Sequence, residues 1–241
     1  MRGLWLACGS IVLSAAPGCD TLRDPVPVEP RVSGSSPGAV TSGEGGVPAD
    51  ADDIGEVIEA VDRTCRERTV YMLGPEKARR LAKLVREMKP RLVVECGTAL
   101  GYSGLWIARA LKELGSGRLI TLEIDSQRAR EAQENFRRGG VDDIVEVRVG
   151  DARQLVREIQ EEVDFLFLDC GFGNYHPCFT GIEERLAGGA LLVADNVGVG
   201  AAGMADYLEL VRSRFESRTE WFDIDLPWGR RDALEITVYR P

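Results

Sequence analysis

From residue 54 onward the apolar positions recur with two different periods, and each change of period marks an element boundary. Ile54, Val57, Ile58, Val61 and Cys65 fall on one face of a helix. A second helix is expected to start at Gly74-Pro75, since proline suits a first helical turn, and to run through Leu81, Leu84 and Val85 to Lys89-Pro90. Short apolar runs then alternate with helical patterns. Strands are expected at 91–96 (RLVVEC), 118–124 (RLITLEI), 145–149, 164–168 (DFLFL) and 190–194 (ALLVA). Helices are expected at 102–114, 126–138, 152–160, after Tyr175, and at 202–215. The chain closes with a strand at 219–224, a turn at Pro227-Trp228-Gly229 and a strand at 234–239.

Strands that alternate with helices imply right-handed crossovers and a parallel sheet covered on both faces. The short link between the last two strands makes them an antiparallel hairpin. The expected fold is therefore α/β: a doubly wound, Rossmann-like sheet of five parallel strands plus a C-terminal antiparallel hairpin, with helices on both faces. In such sheets ligands lie beyond the carboxyl ends of the strands, so the residues that follow each strand carry the chemistry.

The chain divides into residues 1–19, 20–52 and 53–241. The first stretch has one basic residue and then about 13 mostly apolar ones, too few to span a bilayer, which takes roughly 20. It fits the apolar part of a secretory signal, and Ala16-Pro17-Gly18-Cys19 loosely resembles a lipoprotein cleavage box that would leave a lipid anchor on Cys19. The competing reading is an over-extended start on an otherwise cytoplasmic protein. Contact with a membrane is expected only under the first. Residues 20–52, rich in Pro, Gly, Ser and acids, read as a disordered linker that cannot bury enough to offset its ordering entropy.

Composition narrows the function. The net charge of −9 argues against nucleic acid as the main partner, because phosphate binding needs clustered Lys and Arg. Six cysteines (Cys8, Cys19, Cys65, Cys96, Cys170 and Cys178) show no CxxC spacing, so neither a zinc site nor a disulfide framework is expected. Cys96 and Cys170 read as reduced core residues.

After the first sheet strand, Glu95-Cys96-Gly97-Thr98-Ala99-Leu100-Gly101-Tyr102-Ser103 forms a glycine turn into a helix, where backbone N–H groups are free to meet a ligand. The spacing is GxxxG. A nicotinamide dehydrogenase would show GxGxxG, and a P-loop lysine is absent. Glu123 ends the second strand, 22 residues past Gly101, where an acid can accept both hydroxyls of a ribose. Asp151, in Gly150-Asp151-Ala152, stands where an acid could accept from an adenine amino group. Asp169 and Asp195-Asn196 follow neighbouring strands. Their oxygens, without His or Cys, suit Mg²⁺, Mn²⁺ or Ca²⁺.

Taken in order, VVECGTALGYSGLWIARAL, LITLEIDSQRAREAQENF, VRVGDA, FLFLDCGFGNY and GGALLVADNV resemble the cation-dependent class I S-adenosylmethionine-dependent O-methyltransferases, the group that contains catechol O-methyltransferase. The resemblance runs from about Thr69 to the C-terminus. It implies a cofactor pocket lined by Leu73, Glu95, Gly97, Thr98, Gly101, Ser103, Glu123, Asp151 or Ala152, and Asp169, with Glu123 on the ribose. It implies that Asp169, Asp195 and Asn196 hold a divalent cation, Mg²⁺ in the first instance, and that Asp169 and Glu235 act in catalysis, with Glu235 on a second substrate hydroxyl. The expected substrate is a small hydroxylated molecule, catechol-like in the narrowest reading, and a homodimer is compatible with the family.

One position departs from the family. A lysine normally stands three residues after the first metal aspartate as general base, and Phe172 stands there in this chain. His176 lies nearby and could titrate near neutrality. Trp221, Phe222 and Trp228 are candidates for the wall of a substrate slot. Two other functions stay open on sequence alone: a metal-independent methyltransferase with another acceptor, and a tethered module that binds the cofactor without turnover.

Overall fold

The computed structural model describes residues 51–241. The expectations for residues 1–19, and for the linker up to residue 50, lie outside that range. The first helix already begins at Ala51, inside the last two residues of the expected linker. No helix among the described residues is long and apolar enough to cross a membrane.

Seven strands form one sheet: β1 (Leu92–Cys96), β2 (Arg118–Glu123), β3 (Val145–Val149), β4 (Val163–Leu168), β5 (Leu186–Ala194), β6 (Glu216–Leu226) and β7 (Gly229–Val238). Their order across the sheet is β3-β2-β1-β4-β5-β7-β6. The first five are parallel, and β7 runs antiparallel to both β5 and β6. The expected architecture therefore holds.

Among the described residues seven α-helices cover the sheet: α1 (Ala51–Arg68), α2 (Pro75–Met88), α3 (Tyr102–Leu114), α4 (Ser126–Arg138), α5 (Ala152–Leu155), α6 (Tyr175–Ile182) and α7 (Ala205–Arg214). Alternate residues of each central strand feed opposite faces. Val93, Phe165, Phe167 and Val193 pack with α1–α4, whereas Val94, Cys96, Leu166, Leu168 and Leu192 pack with α6 and α7. Both faces of β1, β4 and β5 are apolar for that reason, which makes their sequences near-continuous hydrophobic runs.

Four elements differ from the sequence pattern. The helix expected at 152–160 is one turn of α5 and a 3₁₀ turn at Val156–Glu158, after which Ile159 becomes extended; the tightening lets both Val156 and Ile159 bury. β5 extends back through Gly188-Gly189, a pair whose weak strand propensity hid it. β6 and β7 are longer than expected because the exposed face of β6 is charged and half of its residues reach solvent.

The loops that follow the strands set the site. Gly97 N–H donates to Leu122 O, Asp169 N–H to Cys96 O and Asp195 N–H to Leu168 O, each at 2.9–3.0 Å. Each loop thus stays in the ladder for one residue beyond its strand, and Gly97, Asp169 and Asp195 come out side by side.

Candidate active site

A cavity of about 780 Å³ opens at the carboxyl ends of β1, β2, β4 and β5. Its floor depends on Gly97, whose φ of +106° lies in the region glycine tolerates and whose Cβ, if present, would stand 2.1 Å from the Asp169 carbonyl oxygen. Any side chain there would force β1 and β4 apart. Gly101 has a different task. It does not face the cavity, and a Cβ on it would come within 2.9 Å of Phe136, the buried ring by which α4 packs under α3.

On one side of the cavity lie Leu73, Gly97, Thr98, Ser103, Glu123, Asp151 and Ala152. Glu123 is 4% exposed, so its donors decide what it can still accept. Its Oε2 takes the Ala99 N–H at 2.8 Å, and its Oε1 takes the Asp125 N–H at 3.0 Å and the Arg128 guanidinium at 2.8 Å. A carboxylate has about four acceptor sites, so one lone pair on Oε2 is open, and a second opens if Arg128 swings away. Arg128 also borders the cavity, a role that its place one turn into a surface helix does not advertise. Asp151 caps α5 through the Arg153 N–H at 2.9 Å, and hydrogen bonds from the Arg153 side chain hold its carboxyl below the usual range.

Glu95 does not reach the cavity. It is wholly buried beneath the glycine turn, accepting from the Ser103 and Thr121 hydroxyls at 2.5 Å each. Burial lifts its carboxyl to about 7, although those hydroxyls pull the other way. It braces β1, β2 and α3, and the expectation that it lines the pocket is corrected accordingly.

On the other side lie Asp169, Asp195, Asn196 and two residues the sequence did not single out, Lys77 and Asp232. Lys77, in the first turn of α2, is 1% exposed. Its ammonium donates to Asp195 Oδ1 at 2.5 Å and to Asp232 Oδ2 at 2.6 Å. Burial opposes its charge, yet the two aspartates outweigh that and raise its pKa, so it stays protonated. Asp232 also accepts from the Gly198 and Val199 N–H groups and from Asn196. Against its burial, Lys77 and the Asn196 side chain hold its carboxyl below the usual range.

Asn196, with φ of +58°, points its Nδ2 at Asp195 Oδ2 (3.1 Å) and at Asp232 Oδ2 (3.0 Å), leaving its Oδ1 without a donor among the described residues. No described residue donates to the Asp169 carboxylate either. Burial raises Asp195 to about 6, only partly offset by Lys77, and burial together with the Asp195 charge pushes Asp169 well above the usual range. Three acids and one ammonium therefore face one recess, leaving two negative charges when all are ionised. Free carboxylate and amide oxygens, with no nitrogen or sulfur among them, are a donor set that fits a hard divalent cation.

Glu235 is not brought to this recess. It sits on the opposite face of β7 from Asp232, 1% exposed, paired with Arg212 through two contacts of 2.8 Å and accepting from Thr219 at 2.5 Å. The alternation of a strand separates residues 232 and 235, so the expected contact of Glu235 with substrate is replaced by a structural ion pair. His176 lies in α6 and does not line the cavity. Of the aromatics proposed for the wall, Trp228 lines it and makes an edge-on contact with Tyr71, centroids 5.2 Å apart, while Trp221 and Phe222 do not line it. Phe172 does, with Val199, Ile224 and Leu226.

The chain also resembles known proteins. A family described as a methyltransferase domain matches residues 94–197. The chain is 35% identical over 192 residues to catechol O-methyltransferase B of Danio rerio, covering 76% of this chain and 71% of that one. It is 32% identical over 193 residues to catechol O-methyltransferase of Mus musculus, with the same coverage of each. Among solved structures it resembles an O-methyltransferase from Bacillus cereus in complex with SAH, at a TM-score of 0.67 and 25% identity over 80% of this chain and 93% of that one.

Proposed function

This chain belongs to the S-adenosylmethionine-dependent class I O-methyltransferases, the family that includes the catechol O-methyltransferases, and we propose that it methylates one hydroxyl of a small catechol-like molecule with the help of a divalent cation. One observation carries the finer part of this reading: Asp169, Asp195 and the free Oδ1 of Asn196 face the same cavity as Glu123, with an excess of negative charge that Lys77 only partly relieves.

S-adenosylmethionine supplies an already activated sulfonium methyl, so the protein's task is to hold and orient the two reactants. Gly97 gives the cofactor room against the β1–α3 turn. Glu123 offers acceptor lone pairs to ribose hydroxyls, and Asp151 with Ala152 borders the place for the base. Asp169, Asp195 and Asn196 would hold the cation, Mg²⁺ being the best match to an all-oxygen set. A divalent cation there would acidify a coordinated hydroxyl, which makes a side-chain base dispensable. That matters because Phe172 cannot take a proton, and Lys77, locked between two carboxylates, holds its own. Tyr71, Phe172, Val199 and Trp228 form an apolar rim suited to a flat aromatic ring.

The test is methyl transfer from labelled S-adenosylmethionine to a panel of catechols and monophenols, with Mg²⁺ and with EDTA. Turnover of vicinal diols is expected to need the cation, and Asp169→Asn should lower it at least about 100-fold, the order seen when one group that stabilises developing charge is removed. Full activity in EDTA would instead favour a metal-independent enzyme, in which the Lys77 ammonium is the cation that serves Asp195.

A further inference from the structure

Three thiols from separate parts of the chain meet directly behind the wall of the cavity. Cys96 ends β1, Cys170 follows Asp169 beyond β4, and Cys178 lies in α6. Pairing of β1 with β4 sets Cys96 opposite Leu168, two residues before Cys170, and α6 folds back over that junction to deliver Cys178. The three Sγ atoms all lie within 4.8 Å of one another, with Cys170 and Cys178 at 3.8 Å, and none is in a disulfide. Cys96 and Cys178 are buried, while Cys170 is half-buried and lines the cavity. The spacings 96–170–178 match no metal-binding motif, so only the fold brings these thiols together.

We propose that Cys96, Cys170 and Cys178 form a three-thiolate site for a soft, thiophilic cation of the zinc and cadmium class, reached from the cofactor cavity past Cys170. The distances favour it. Zinc–sulfur bonds near 2.3 Å at tetrahedral angles put sulfurs about 3.8 Å apart, the separation already present between Cys170 and Cys178. A wider pair would need to close by about 1 Å at most. Three protein sulfurs would leave one tetrahedral position, which water or a small anion could fill.

Hydrogen bonding with the neighbouring thiols holds the Cys178 thiol below its usual range. Binding a divalent ion releases the remaining thiol protons to water, and three thiolates with one divalent ion leave a net charge of −1. The neighbouring oxygen recess selects hard ions, so two cation sites of opposite preference would stand on either side of the Asp169–Cys170 peptide. Because the Asp169 carbonyl packs against Gly97, an ion that pins Cys170 also fixes the floor of the cofactor cavity.

The experiment uses the reduced full chain carrying Cys8→Ser and Cys19→Ser, stripped with a chelator and then held in excess Mg²⁺ so that the oxygen recess is saturated. Cadmium is titrated while the near-ultraviolet thiolate-to-cadmium charge-transfer band and the protons released are followed. One equivalent is expected to saturate the band. Cys65→Ser should leave it unchanged, and Cys170→Ser or Cys178→Ser should weaken binding by about 100-fold or more, beyond the 10–100-fold typical of losing an outer-shell partner. Calorimetric binding of S-adenosylmethionine reports whether each variant is folded, and the half-exposed Cys170 position serves if the buried one is not tolerated. No band at one equivalent would overturn the proposal, as would a band undiminished in a folded Cys170→Ser protein.

Discussion

Replacing Lys77 by methionine removes the one ammonium buried between Asp195 and Asp232 while keeping a chain of similar length to fill its channel. The structure sets the scale. Lys77 and Asp195 are 1% exposed and the contacts are 2.5 and 2.6 Å, so water cannot take over when the charge is lost. Breaking a buried ion pair from one side costs about 3–5 kcal/mol, because it leaves an uncompensated charge. Here it leaves two aspartates facing each other, with Asp169 beside them. Domains of this size lose about 2–4 °C per kcal/mol, which puts the fall in Tm at roughly 10 °C. Urea unfolding followed by tryptophan fluorescence at pH 7.5 in EDTA measures it. Two further measurements separate charge from packing. Lys77→Met with Asp232→Asn should recover part of the loss, and Mg²⁺ should stabilise Lys77→Met more than the parent, since a divalent ion gains most where the negative charge is least relieved. A loss below about 1 kcal/mol, or equal stabilisation of both proteins by Mg²⁺, would refute the charge balance on which the cation site rests.

Three further changes probe neighbouring parts of the site. Glu123→Gln should weaken S-adenosylmethionine binding by about 2 kcal/mol, roughly 30-fold by calorimetry, because a charged acceptor for hydroxyls becomes a neutral one; an unchanged Kd would remove Glu123 from the ribose. Glu95 is protonated in the folded state and ionised in the unfolded state between pH 4.5 and about 7, so its contribution to stability is full below the lower value and lost as pH rises through the upper. The loss amounts to about 3 kcal/mol, and Glu95→Gln should flatten the urea midpoint between pH 5 and 8.5; a parent protein as stable at 8.5 as at 5 would contradict this. Glu235→Gln should lower stability through Arg212 and leave kcat and KM for methyl transfer where they were, whereas a fall in kcat at constant Tm would return Glu235 to the substrate.

Much of the fold could be read from the chain because its signals are local. Buried parallel strands such as FLFL and LLVA are apolar on both faces, and the helices between them carry a strong single-face pattern. The misses have local causes too. Gly188-Gly189 and the charged face of β6 hide strand from any reading that relies on apolar alternation. The turn of α5 into a 3₁₀ segment depends on what Val156 and Ile159 find beneath them, which no window of sequence contains.

The site divides along the same line. Glu123, Asp169, Asp195 and Asn196 were legible because each stands at the carboxyl end of a parallel strand, the last two sharing β5, and the doubly wound topology alone gathers such positions. Lys77 and Asp232 lie on α2 and on β7, one before the parallel sheet and one after it, 155 residues apart in the chain. Nothing near either residue distinguishes it from the many surface charges of a chain that is 29% charged. Only burial does, and burial is a property of the finished packing. The assignment of Glu235 failed for a related reason. A motif match locates a residue along a strand but not on a face of it, and the period of two then decides between the cavity and the far side of the sheet. Asp232, three positions earlier in the same strand, has the opposite parity and therefore meets Lys77. Residues that come to a site from outside the repeating βα frame are thus the ones that need coordinates, and in this protein one of them, Lys77, offsets part of the negative charge that Asp169, Asp195 and Asp232 bring to the recess.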